Sequence, residues 1–305
     1  MSAQTPPPGF VTADLGQAVG GYYDRTADLY AQLWGDDIHL GFWDEGERPG
    51  AGGADRHAAT ERLIRELVEF AGIAPGSRVL DVGCGHGGPA LYLAGRLGCA
   101  VDGITLSAEQ VSRATARAAQ TGLSARTAFR VADVLGGGLA EGAYDVVWAM
   151  ESLMHIADRP AFFATALRAL RPGGVLALNT WAVREGALDA AETDLVRRIL
   201  HSQVLPSLDS IEAHQRMAEA AGFTLVRTAD WSTQTAGSWD PEFALLEQPE
   251  GGREYMMELA RERGADVLRF FAAVPLMRKG FATGVITCGA LAAVKPAPGA
   301  GGEVA

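Results

Sequence analysis

Two hydrophobic periods alternate along the chain. Residues 55–71, DRHAATERLIRELVEFA, repeat apolar positions three and four apart and predict an amphipathic helix. From there on, short apolar runs bounded by glycine, proline and charge predict seven strands: RVLDV (78–82), AVDGIT (100–105), TAFRVAD (127–133), YDVVWAM (144–150), VLALNTW (175–181), FTLVRTADW (223–231) and TGVITCGALAAVK (283–295). Helical patterns fill the gaps at 89–97, 107–120, 158–170 and 210–221. Asp158 is placed to cap the third of these, with Pro160 in its first turn, and RPGG (171–174) predicts a turn into the fifth strand. Strands alternating with crossover helices predict an α/β fold, a doubly wound and mostly parallel sheet. Three stretches depart from the rhythm. Residues 14–54 open with a helix carrying Tyr22, Tyr23, Leu29, Tyr30 and Trp34; residues 183–210 are partly helical; residues 232–280 are long and mostly helical. They are expected to cover the carboxyl edge of the sheet, where such folds bind ligands.

Composition narrows the class. Hydrophobic residues make up 48% and charged ones 21%, which suits a globular domain with a sizeable core. The formal net charge of −11 and the two lone lysines, Lys279 and Lys295, argue against a nucleic-acid partner. Three cysteines, Cys84, Cys99 and Cys288, form neither a CxxC pair nor a disulfide framework, and no metal-ligand set is predicted. No signal peptide and no apolar run of membrane-spanning length is found, so a cytoplasmic protein without a membrane partner is expected. Homo-oligomerisation is left open. The proline-rich start (1–13) and the end (296–305) are expected to be disordered.

The candidate chemistry lies in VLDVGCGHGG, residues 79–88. Gly83, Gly85 and Gly88 satisfy G-x-G-x-x-G, and Asp102 follows about twenty residues on, the spacing of a dinucleotide fingerprint in which the acid holds a ribose. That reading predicts a dehydrogenase. Asp81 supports another. It lies two residues before Gly83 on the same strand face, where a phosphate would be repelled and an ammonium welcomed, while the following helix N-terminus suits a carboxylate. A ligand with ammonium, carboxylate and adenosine fits: S-adenosyl-L-methionine.

VLDVGCGHGG resembles the first motif of Rossmann-type S-adenosylmethionine-dependent methyltransferases. YYDRTADLYAQLWGDDIHLGFWDEG (22–46) and WAMESLMHIADR (148–159) followed by ALRPGG (169–174) are similar to a small-molecule group that includes tocopherol and sterol C-methyltransferases and natural-product glycoside O-methyltransferases. The resemblance implies a sheet whose last strand (281–295) is antiparallel, a cofactor-binding core at 55–182, and lid or substrate-binding insertions at 14–54, 183–210 and 232–280. It also implies roles. Tyr23 would contact the cofactor carboxylate. Asp81, Gly83, Cys84 and Gly85 would form the methionine and loop site. GITLSAEQ resembles the TLSxxQ of cyclopropane fatty acid synthases, implying Thr105 and Gln110 at the ribose, although Ser107-x-x-Gln110 also reads as a capping box. Asp133 would face the adenine amino group, and Met150 and Glu151 the methionine arm.

The chain departs from the group where the chemistry happens. Members that methylate hydroxyls often carry paired histidines after strand 4; here the pair reads Met154-His155, and the end of strand 5, NTW, has no acid. His155, Tyr23 and Trp181 are the candidate catalytic residues. Trp34, Phe42, Trp43, Trp148, Trp181, Trp231 and Trp239 are read as walls for a large hydrophobic acceptor and as a means of steadying a carbocation. The resulting expectation is C-methylation of a prenylated, aromatic or polyketide-like carbon, with cation-driven cyclisation as an extension. O- or N-methylation with His155 as base is the alternative, and a dehydrogenase or a non-methylating cyclase stands further off.

Overall fold

The computed structural model describes residues 12–44, 54–240 and 252–297. The tails expected at 1–13 and 296–305 lie, apart from 12–13 and 296–297, outside the described residues, as do 45–53 and 241–251 of the expected lid segments. Seven strands form one sheet in the order β3-β2-β1-β4-β5-β7-β6. They are β1 Arg78–Val82, β2 Ala100–Thr105, β3 Thr127–Val131, β4 Tyr144–Met150, β5 Leu170–Val183, β6 Thr224–Asp230 and β7 Ile286–Val294. Strand β7 runs antiparallel to both β5 and β6, and the remaining pairs are parallel. The predicted fold class is borne out. Strand order reverses between β1 and β4, so the crevice beyond their carboxyl ends is where such a sheet holds a ligand.

Nine helices of two turns or more are described: α1 Thr12–Leu33, α2 Ala54–Ala71, α3 Gly88–Arg96, α4 Ala108–Gln120, α5 Arg159–Ala169, α6 Ala190–Ser202, α7 Ile211–Ala221, α8 Gly252–Arg263 and α9 Ala265–Ala282. Asp158 caps α5, its carboxylate accepting from the Ala161 amide at 3.0 Å, with Pro160 in the first turn as the sequence suggests. Three strands differ from the sequence reading by two residues or more at a boundary, one of them β7, which starts at Ile286 where 283 was expected. RPGG does not end the pairing: Tyr144 faces Leu170 and Val146 faces Val175, so β5 begins at Leu170 and carries the extra residues as an irregularity, with Gly173 at φ 77°. Strand β3 stops at Val131, which leaves Asp133 in the loop beyond it.

Helix α1 lies on the carboxyl edge of the sheet, and two features hold it there. Gly20 rests on the loop after β2, where even a Cβ would come within 2.7 Å of the Leu106 carbonyl oxygen. Asp24 then accepts from the Ser107 hydroxyl at 2.5 Å and the Glu109 amide at 3.2 Å, placing a carboxylate at the N-terminus of α4. Asp28 pairs with Arg113 of α4, and Arg25 with Asp266 of α9 at 2.6 Å.

Candidate active site

The ends of β1, β2 and β4, the glycine loop, α1 and residues 36–39 enclose a cleft of about 960 Å³, its open mouth included. Tyr23, Asp81, Gly83, Cys84, Gly85, Thr105, Gln110, Asp133, Met150, Glu151 and His155 all line it. Trp181 does not; it stands behind Glu151 and donates its indole N–H to Oε2 at 3.0 Å.

Asp81 is 1% exposed, and its Oδ2 has no hydrogen-bond partner. Burial pushes its carboxyl up to about 7. An unpaired carboxylate is costly to bury, so a cationic group arriving in the cleft would be strongly favoured beside it. Gly83 turns the chain at φ 78°, and a Cβ there would lie 2.3 Å from that of Ser152. The Ser152 hydroxyl donates to the Val82 carbonyl at 2.5 Å, joining the ends of β1 and β4. Cys84 is buried in the loop, and burial and then Asp81 raise its thiol well above the ordinary range, which disfavours the thiolate.

At the end of β2, Thr105 Oγ1 donates to Gln110 Oε1 at 2.6 Å. Ser107 caps α4 by accepting from the Gln110 amide at 3.0 Å. The return half of a capping box would take the Ser107 amide to Gln110, but that amide donates to Thr105 Oγ1 at 3.3 Å. The Gln110 side chain is therefore engaged with Thr105 at the cleft rather than with the helix start. Asp133 accepts from the Leu135 amide at 2.9 Å, which fixes its turn.

Glu151 is a non-glycine residue at φ 47°, a conformation uncommon outside glycine. Its carboxylate accepts from the Leu40 amide at 3.0 Å as well as from Trp181, and burial pushes it up to about 8. Beside it, His155 Nε2 and the Tyr23 hydroxyl share a hydrogen bond of 3.0 Å. Burial brings the His155 imidazole down to about 4 and lifts the Tyr23 phenol well above its ordinary value, so both are neutral near pH 7.

Two further cleft residues escaped the sequence reading, His39 and His86. Both are buried with Nε2 unpartnered, and burial lowers both, His86 to about 4. Arg117 donates to the carbonyls of Asp36 and His86 at 3.0 and 2.9 Å and so holds residues 36–39 against the glycine loop. The available signal was a ring-bearing residue inside GCGHGG and another inside IHLG.

The dinucleotide alternative does not fit. Asp102 sits midway along β2, outside the cleft lining, and accepts from Arg78 and Tyr144 at 3.1 and 3.0 Å. The aromatic residues read as acceptor walls also lie elsewhere. None of the seven lines the cleft: Trp34 and Trp181 pack on Trp239 at 5.1 and 5.7 Å between centroids, and Phe42 on Trp231 at 5.7 Å. Tyr23 is the aromatic ring in the cleft wall among the described residues.

An orphaned buried carboxylate, a glycine loop open to backbone approach and a Thr–Gln pair one strand away fit the ammonium, methionine arm and ribose of S-adenosylmethionine. Comparison with known proteins agrees. Residues 79–174 match the methyltransferase domain family. The chain is 33% identical over 300 residues to a probable tocopherol O-methyltransferase, chloroplastic, of Oryza sativa subsp. japonica, covering 95% of this chain and 80% of that protein. It is 37% identical over 242 residues to the 27-O-demethylrifamycin SV methyltransferase of Amycolatopsis mediterranei, covering 79% and 85%. Among solved structures, the cyclase SpnF superposes with a TM-score of 0.78 at 29% identity, covering 97% of this chain and all of that one. The chain belongs to the S-adenosylmethionine-dependent methyltransferases of small molecules, and S-adenosylmethionine is its cofactor.

Proposed function

We propose that this enzyme methylates a hydroxyl group of a hydrophobic natural product in the cytoplasm, with His155 as the base. The observation that carries this reading is the half-buried imidazole of His155, which lines the cleft and whose Nε2 meets the Tyr23 hydroxyl at 3.0 Å. A hydroxyl must lose its proton as it attacks, and a positioned neutral imidazole takes it. S-adenosylmethionine supplies the electrophilic methyl group. Asp81 receives its ammonium, and Gly83, Cys84 and Gly85 admit the methionine arm beside Met150 and Glu151. Thr105 and Gln110 hold the ribose hydroxyls, and Asp133 the adenine amino group. The acceptor hydroxyl takes the place at Nε2 that the Tyr23 phenol occupies, which frees Tyr23 for the cofactor carboxylate. Segments around α1 and α9 keep water out.

Transfer to carbon is the second reading. It is favoured by the run of rings from Tyr23 through Tyr30, at 5.9 Å, to Trp34, at 6.3 Å, which begins in the cleft wall. Oxygen transfer is preferred because His155 lines the cleft and the tryptophans do not. Incubating the enzyme with carbon-13-methyl donor and a panel of prenylated phenols, macrolactones and their non-hydroxylated analogues decides between them. Oxygen transfer predicts a product methyl resonance at the O–CH₃ shift and no product from the analogues; a methyl resonance at a C–CH₃ shift overturns it.

A further inference from the structure

Arg159 is the first residue of α5 and is 2% exposed. Three features of that position are unfavourable to a cation. A helix N-terminus repels positive charge, burial of a guanidinium is expensive, and its Nε has no partner. An apolar side chain would suit a merely structural role better. What the guanidinium does is join two backbone segments. Nη2 donates to the Ser207 carbonyl at 2.6 Å and, on a longer contact, to the Met154 carbonyl at 3.4 Å; Nη1 donates to the Ser207 hydroxyl at 2.7 Å and pairs with Asp209 Oδ2 at 3.0 Å. Met154 immediately precedes His155 in the short helix Leu153–His155. The 203–209 loop leaves the end of α6 through Val204, which sits at φ 54° where a helix stop normally places glycine; the Leu205 amide closes back on the Leu200 carbonyl at 2.9 Å. A β-branched residue in that conformation is strained. Its carbonyl lies near enough to His155 to raise the imidazole's proton affinity, although Nδ1 closes no hydrogen bond of regular geometry.

We infer that Arg159 is a positioning residue for His155: it ties the backbone carrying the imidazole to the loop behind it, and so supplies from α5 the orientation that an acid after β5 would otherwise give. This rests on the reading of His155 as base. With the proton on Nδ1, the nitrogen turned away from Tyr23, the Nε2 lone pair faces the cleft, the arrangement a base requires. The groups facing His155 are Tyr23 from α1, Arg159 from α5 and the Val204 carbonyl, and Glu151 from the end of β4 faces Tyr23. Those facing Arg159 are Asp209 and, from α7, His214.

The test is nitrogen-15 NMR of the histidine rings in the full-length protein, with the His155 signals assigned by their loss in His155→Ala. Wild type should show one neutral tautomer with Nδ1 protonated. Arg159→Met should mix the tautomers and raise the titration midpoint of His155 by about one pH unit or more, because a repelling charge goes and water enters. Arg159→Lys should fall between. Ser207→Ala removes one contact without uncovering a buried charge and should move His155 the same way by less; it carries the test if Arg159→Met does not fold. Affinity for S-adenosylhomocysteine, read by calorimetry, should stay within about twofold throughout, since Arg159 is not in the cleft lining. An unchanged tautomer and midpoint in the folded variants overturns the inference and leaves the base reading standing. Full methyl transfer by His155→Ala overturns the base reading and leaves the NMR result standing.

Discussion

The wall of the cleft around Asp81 and Thr105 is made of backbone and short polar side chains from one continuous piece of chain, β1 through α4. The wall around His155 is assembled from residues far apart in sequence: His155 itself after β4, Arg159 from α5 and Val204 after α6 behind it, and Tyr23 from α1 where the two walls meet. The first wall faces a cofactor that is the same in every member of the family, and its parts are local and rigid. In the proposed function the second faces the acceptor, and its parts are held by long-range contacts that single substitutions can rearrange. In this chain the wall at Asp81 is built mainly from local structure, and the wall at His155 from tertiary structure.

That contrast can be broken in measurable ways. The largest effect is expected at the assembled wall: His155→Ala should lower kcat by roughly 10²–10⁴ while S-adenosylhomocysteine still binds. An equal loss of cofactor affinity would show that the two walls are not separable. At the local wall, Asp81→Asn should weaken S-adenosylhomocysteine by about 10²-fold in calorimetry, the range for removing one partner of a buried charge pair. Gln110→Ala should cost about 0.5–1.5 kcal/mol of cofactor affinity, one hydrogen bond, with the Tm of the cofactor-free protein nearly unchanged; a fall in Tm with affinity intact would return Gln110 to a helix-start role.

Acid dependence separates the walls in another way. The folded carboxyls of Asp81 and Glu151 are raised, to about 7 and about 8, so between their unfolded values and these the folded state holds the extra protons. They make the cofactor-free protein less stable as pH rises through 7 and 8. The buried imidazoles of His39, His86 and His214 and the half-buried one of His155 are lowered, so below about 6.5 the unfolded state holds the extra protons and stability falls as pH drops. Melting curves should therefore peak near pH 6.5, and Asp81→Asn should steepen the rise on the acid side and flatten the fall only up to about pH 7, leaving the fall toward pH 8 to Glu151. The smallest effect is kinetic access: S-adenosylhomocysteine should slow proteolytic cutting near α1, and equal cutting with and without it would count against α1 as a cover.

The same contrast explains what could be read from the sequence. The strands, the glycine loop and Asp81 were legible because each is encoded within a few residues, by period and by turn chemistry. The start of β5 was not, because pairing with Tyr144 overrides the turn propensity of RPGG. The tryptophans misled for a related reason. A sequence shows that Trp34, Trp181 and Trp239 are large and apolar, but not that they turn toward one another instead of toward the cleft. Arg159 was invisible as more than the residue after a helix cap, since its partners at 207 and 209 are brought to it only by the fold.

Gly20 has a consequence for anyone who exchanges parts between relatives. Transplanting an N-terminal helix is an obvious way to carry acceptor preference from one enzyme to another. Here the register of that helix is fixed by a position that tolerates only hydrogen, 2.7 Å from a main-chain oxygen once a methyl is placed there. A helix shifted by one residue toward its C-terminal end sets Val19 on that oxygen and swings Tyr23 away from His155. A chimera built on this chain should be aligned on the glycine rather than on the aromatic residues beside it, which are the more conspicuous guide and the wrong one.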